Sequence, residues 1–129
     1  MNFIYEHRWV IPDMYWPEKT SSLHYKSHES VCILNLTNSD CEVLITLYYE
    51  DSEPIKLPVQ FCKNNRTNHI RMDLITDTKG KHIPRGIAYA AVVECSTAAI
   101  VQYTRVDTTD ADTALMTTMA YKLNHDYQT

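Results

Sequence analysis

The feature that most constrains this chain is period-two hydropathy in short runs, each closed by turn-forming residues. In residues 55–62, Ile55, Leu57, Val59 and Phe61 alternate with Lys56, Pro58, Gln60 and Cys62. In residues 68–74, Ile70, Met72 and Leu74 alternate with His69, Arg71 and Asp73. Successive side chains of a strand point to opposite faces, so such runs suit a half-buried strand and not an amphipathic helix. Repeated along a chain, this rhythm predicts an antiparallel β-sandwich or barrel.

Further strands are predicted over 8–11, 30–36, 41–49, 86–95 and 99–107. Pro12 is read as the stop of the first. The turn cluster Thr37-Asn38-Ser39-Asp40 makes 30–36 and 41–49 read as a hairpin. Both faces of 41–49 are apolar, which places it centrally. Pro58 has no N–H for a ladder, so 55–62 reads as an edge strand. Residues 77–85, with Gly80 and Pro84, read as a loop. From Thr108 the period changes: Ala111, Ala114, Leu115, Thr118 and Met119 fall at helical spacing, with Asp107, Thr108 or Thr109 as cap. A short C-terminal helix is therefore expected over about 108–121, and a loose tail from Asn124.

The 129 residues suit a single domain with one core. A formal net charge of -4 and the absence of any Lys/Arg block give no sign of a nucleic-acid partner. No secretory pattern opens the chain, and no apolar run approaches the ~20 residues of a membrane span. A cytoplasmic location is expected. The cysteines Cys32, Cys41, Cys62 and Cys95 show no zinc spacing and are expected to be reduced, packed thiols.

Catalytic motifs are weak. Ser27-His28-Glu29 are neighbours on an extended segment and cannot meet at one substrate atom. No nucleophile elbow and no phosphate-binding glycine loop occurs. His28, Glu29, His69, Asp73 and Asp107 could converge as metal ligands, but without any His-x-His or His-x-x-x-His spacing. The expectation is a binding domain without metal or cofactor, with a metal-dependent enzyme as rival. His69, Arg71 and Asp73 share one predicted face, and Tyr103, Arg105 and Asp107 another, beside Gln102. Arginine forks, carboxylates and flat rings serve a hydroxyl-rich ligand; they serve an inter-subunit salt-bridge network equally. Trp9, Tyr15 and Trp16, in a segment stiffened by Pro12 and Pro17, allow a sugar platform, a protein contact or core packing.

Six segments, in order, resemble the sensory rhodopsin transducer family. They are Trp9-Val10-Ile11-Pro12-Asp13; Ser27-His28-Glu29-Ser30-Val31-Cys32-Ile33-Leu34-Asn35; Ile45-Thr46-Leu47-Tyr48-Tyr49-Glu50-Asp51-Ser52-Glu53-Pro54; His69-Ile70-Arg71-Met72-Asp73; Ile83-Pro84-Arg85-Gly86; and Val101-Gln102-Tyr103-Thr104-Arg105-Val106-Asp107-Thr108. The resemblance implies a jelly-roll-like β-sandwich with a short C-terminal helix, assembled as a homotetramer. It implies signalling beneath a membrane photoreceptor, or binding of a small polar metabolite such as a sugar. The matching polar positions are His28, Glu29, Arg71, Asp73, Arg85, Gln102, Arg105 and Asp107. Trp9, Tyr15 and Trp16 are the candidate protein-contact residues.

Overall fold

The computed structural model describes residues 3–21, 25–110 and 112–124. The strands are β1 (His7–Met14), β2 (His28–Asn35), β3 (Cys41–Tyr48), β4 (Ile55–Lys56), β5 (Gln60–Cys62), β6 (Arg66–Arg71), β7 (Tyr89–Cys95), β8 (Ile100–Asp107), β9 (Ala114–Met119) and β10 (Tyr121–Leu123). They form two antiparallel sheets packed face to face. One runs β10-β1-β7-β3-β4, with β5 also on β3; the other runs β6-β2-β8-β9. This strand order, rather than the jelly-roll label, describes the sandwich.

The core lies between the inward faces. Val31 and Ile33 of β2, Val43, Ile45 and Leu47 of β3, Ala91, Val93 and Cys95 of β7, and Val101 and Tyr103 of β8 are all buried at alternate positions. The period-two reading of these runs thus holds where one face meets the other sheet. β7 lies between β1 and β3 and is buried on both sides. All four cysteines carry free thiols; Cys41, Cys62 and Cys95 are buried and Cys32 is half-buried.

Several expectations are corrected. The C-terminal helix is replaced by β9 and β10. β9 pairs with β8 in one sheet, and after Ala120 the chain crosses to pair β10 with β1 in the other. Ala111 of the helical pattern lies outside the described residues, as does the tail beyond Asn124. The free edge of β8 offers a full ladder. Thr117 adds side-chain bonds, its hydroxyl donating to the Tyr103 carbonyl at 3.1 Å and accepting from Gln102 Nε2 at 2.8 Å. A marginal short helix cannot match those bonds.

The expected hairpin of β2 with β3 does not form. β2 pairs with β6 and β8, whereas β3 pairs with β4, β5 and β7. Residues 37–40 arch from one sheet to the other. Buried Asn35 holds the arch: its Nδ2 donates to the Ser39 and Cys62 carbonyls, and its Oδ1 accepts from the Thr37 amide and hydroxyl. Pro12 does not end β1, which continues to Met14 through a register shift between Ile11 and Met14. Pro58 splits its edge strand into β4 and β5, both on β3. β6 ends at Arg71; beyond it Leu74 is 64% exposed and Asp73 is buried, so neither keeps to its predicted face.

Candidate functional site

One end of the sandwich gathers most of the chemistry. β1, β3, β6 and β8 finish there, and β2 and β7 begin there, because the pairings Met14–Tyr89, Tyr48–Ala90, His28–Val106 and Ser30–Arg71 lie at the same ends of the two sheets. Two distinct arrangements result.

The first is a buried carboxylate nest. Glu29 is fully buried. The Tyr89 hydroxyl donates to its Oε2 at 2.6 Å, and the Tyr103 hydroxyl to the same oxygen at 3.2 Å. Tyr103 in turn accepts from Arg105 Nε at 3.1 Å and from the Tyr15 amide at 3.3 Å. Tyr49 stacks on Tyr89 with ring centroids 5.8 Å apart. Burial pushes the Glu29 carboxyl up to about 7, against the opposing pull of the two hydroxyls and Arg105. Burial and the Glu29 charge together hold the Tyr89 and Tyr103 phenols above their ordinary range. Among the described residues, Glu29 Oε1, Arg105 Nη2 and Tyr49 OH have no hydrogen-bond partner. Arg105 Nη2 does lie 3.7 Å from Asp13 Oδ1, an ion-pair distance that exceeds hydrogen-bond reach.

The second is an open cleft of about 730 Å3, lined by Trp16, Lys26, Arg71, Asp73, Leu74, Lys81, His82, Ile83, Pro84 and Arg85. Arg71 grips Asp73 through two bonds of 2.7 Å, Nε to Oδ1 and Nη2 to Oδ2. The Asp73 side chain is 8% exposed and that of Arg71 39%. Trp16 is buried, and its indole N–H donates to the Ser27 carbonyl at 3.1 Å. The Arg85 guanidinium lies over the indole, 4.2 Å from the ring centroid. Gly86 fixes the approach of Arg85: its amide donates to the Trp16 carbonyl at 2.7 Å, and its φ of 73° is a left-handed conformation that favours glycine. A neighbouring cleft of about 620 Å3 shares Lys81 and Pro84 but presents Glu50 and Asp51. It has no arginine held on an aromatic ring.

The comparisons with known proteins agree with one another. The pattern of the Anabaena sensory rhodopsin transducer family matches residues 4–122. This chain belongs to that family. The crystal structure of Thermotoga maritima 1070 superposes with a TM-score of 0.79 at 28% identity, over 92% of this chain and 96% of that one. The Anabaena sensory rhodopsin transducer itself superposes with a TM-score of 0.68 at 33% identity, over 81% of this chain and 90% of that one. No curated protein matches the chain in sequence.

In this transducer-family chain, Arg71, Asp73, Arg85 and Trp16 come together at the cleft. Glu29 and Arg105 join the nest with Tyr15 beside them. The other candidates go elsewhere. His28 Nδ1 contacts the Lys26 carbonyl at 2.6 Å, and Asp107 accepts from the Thr109 amide at 2.9 Å. Gln102 spends its amide on Thr117 of β9. Trp9 packs beside Lys122, whose Nζ is 5.8 Å from its ring centroid, on the β1–β10 pair. Trp9, Tyr15 and Trp16 therefore form no single aromatic patch. Sequence reasoning missed Lys26, Lys81 and His82 of the cleft, and Tyr49 and Tyr89 of the nest. Tyr89 carried a signal, since it continues the inward set Ala91, Val93 and Cys95 and so places a phenol in an apolar face.

Among the described residues, no group of three or more His, Cys, Asp or Glu side chains is arranged to hold a metal ion. Among them also, no helix is long and apolar enough to cross a membrane.

Proposed function

We propose that this chain is a cytoplasmic, non-catalytic module that binds a small polar metabolite, such as a sugar, and passes that state to a partner. The single observation that carries the reading is the cleft in which Arg71, pinned by Asp73, and Arg85, pinned on Trp16, present fixed donors beside an apolar wall. Preorganised polar groups on a concave surface are the usual makings of a small-molecule site. The family name supports the signalling half of the proposal. Titration calorimetry with a panel of sugars, sugar acids and sugar phosphates tests it. Binding by at least one compound, weakened by Arg85→Ala, supports the reading; no heat from any of them defeats it.

A homotetramer is part of the proposal. β9 is an outer strand exposed along its whole length, with Leu115 75% and Met119 57% exposed, and Tyr121 follows at 57%. An apolar edge of this kind invites a further strand or a second subunit. The same edge favours a second reading, docking of the module on a membrane receptor. A pull-down from native membranes discriminates: a membrane partner lost on Leu115→Lys, with the tetramer intact in light scattering, favours docking.

A further inference from the structure

The cleft carries an imbalance that points to the charge of its ligand. Lys26, Arg71, Lys81 and Arg85 line it against the one carboxylate of Asp73, in a chain whose net charge is -4. That carboxylate has both oxygens engaged by Arg71. Nearby Asp77 is occupied by the backbone amides of Lys79 and Lys81. Among the described residues, Lys26, Lys81 and Arg85 form no ion pair, and the Glu18 carboxylate, which lies against Gly86, is outside the lining of the cleft.

The donor and acceptor balance points the same way. Arginine and lysine only donate hydrogen bonds. Every hydroxyl of a neutral sugar must also donate, and this lining leaves it few acceptors. An oxyanion is the reverse: it only accepts, and it matches the planar fork of a guanidinium. Both arginines are held before any ligand arrives. Arg71 has its Nη1 edge uncommitted after pairing with Asp73, and Arg85 holds its guanidinium carbon 4.2 Å from the centroid of the Trp16 ring. Ile83 and Pro84 supply apolar contact for a carbon frame.

We propose that the ligand of this cleft is a small hydroxylated molecule bearing an oxyanion, a carboxylate or a phosphate, gripped by Arg71 and Arg85. The proposal rests on the ligand-binding reading above and specifies its chemical class. The shared chemistry is the charged group; the experiment separates its sources.

The full-length chain is titrated by calorimetry with glucose, glucuronate, a glucose phosphate and inorganic phosphate, at low and high ionic strength. The expected result is that glucuronate or the glucose phosphate binds at least about tenfold tighter than glucose. That preference should shrink with added salt. Arg85→Gln should abolish the preference while leaving the thermal midpoint of the protein near that of the wild type. Whichever of the two arms is tighter identifies carboxylate or phosphate. Glucose binding as tightly as its charged relatives overturns the anion proposal and leaves the ligand-binding reading standing. Inorganic phosphate binding as tightly as the sugar phosphate overturns the hydroxylated frame. Silence from every compound removes both readings together.

Discussion

The same end of the sandwich holds two carboxylates beside arginines, and they are handled in opposite ways. Asp73 meets Arg71 directly, in a two-bond pair at the rim of an open cleft. Glu29 lies in the core, where two tyrosine hydroxyls meet its oxygen and Tyr103 stands between it and Arg105. Water explains the difference. At the rim, Arg71 keeps 39% of its side chain in solvent, and its two bonds compensate the buried Asp73 carboxylate. In the core a bare ion pair is expensive, and neutral donors with a carboxyl that can hold its proton near neutral pH form the cheaper arrangement. Rim polarity is thus available for recognition, and core polarity is part of the fold.

The comparison breaks most visibly at Glu29. Glu29→Ala leaves a cavity and strands the Tyr89 and Tyr103 hydroxyls, and should cost on the order of 3 kcal/mol or more in urea unfolding. A loss below ~1 kcal/mol would mean that water fills the nest. Next comes pH. The Glu29 carboxyl ionises near its ordinary 4.5 in the unfolded chain but is pushed up to about 7 when folded. The native state therefore holds the proton longer. Its contribution to stability is complete below pH 4.5 and is lost as pH rises through about 7. The loss should be at most about 3 kcal/mol. Unfolding midpoints followed from pH 4.5 to about 7 should fall in the wild type and stay level in Glu29→Gln; an equal slope in both would assign the effect to other groups.

Smaller effects sharpen the contrast. Tyr103→Phe removes one donor to Glu29 and the acceptor of Arg105 Nε, and should cost about 1–2 kcal/mol by chemical denaturation. Asp73→Asn breaks a pair whose arginine is partly solvated and leaves a neutral acceptor in the buried position, and should cost about 1 kcal/mol in the same assay. If Asp73→Asn proved the more damaging of the two, the division into a structural core and a rim free for recognition would be wrong.

How far the sequence could be read differs by element. Residues 41–49 announced a central strand, because apolar side chains on both faces need cover on both faces; 86–95 was legible as a strand, and its central place came only from pairing with β1 and β3. Residues 108–121 misled, since a spacing compatible with a helix says nothing of the free edge on β8. Thr117 sat in that segment as a β-branched hint, and its value became clear only with Gln102, Thr104 and the Tyr103 carbonyl opposite. The turn at 37–40 was legible as a turn but not as an arch. Alternation gives the face of a side chain and is silent on which sheet the next strand enters. For the candidate site, Arg71–Asp73 was legible as a local pair, and the link from Arg85 to Trp16 was not. It joins residues far apart in sequence through the bend at Gly86.

By itself the sequence determined the β class, the family to which the chain belongs and the lack of an apolar run long enough to cross a membrane; Val59, Phe61 and Leu74, apolar in the pattern, are exposed. Periodicity and composition decide these, because local backbone geometry couples them directly to burial. The tertiary structure alone decided which strands pair, that the last segment is a strand, and that Glu29 is buried while Arg71 and Arg85 share a cleft. Those outcomes depend on long-range pairing and on solvent exclusion, which no local pattern encodes.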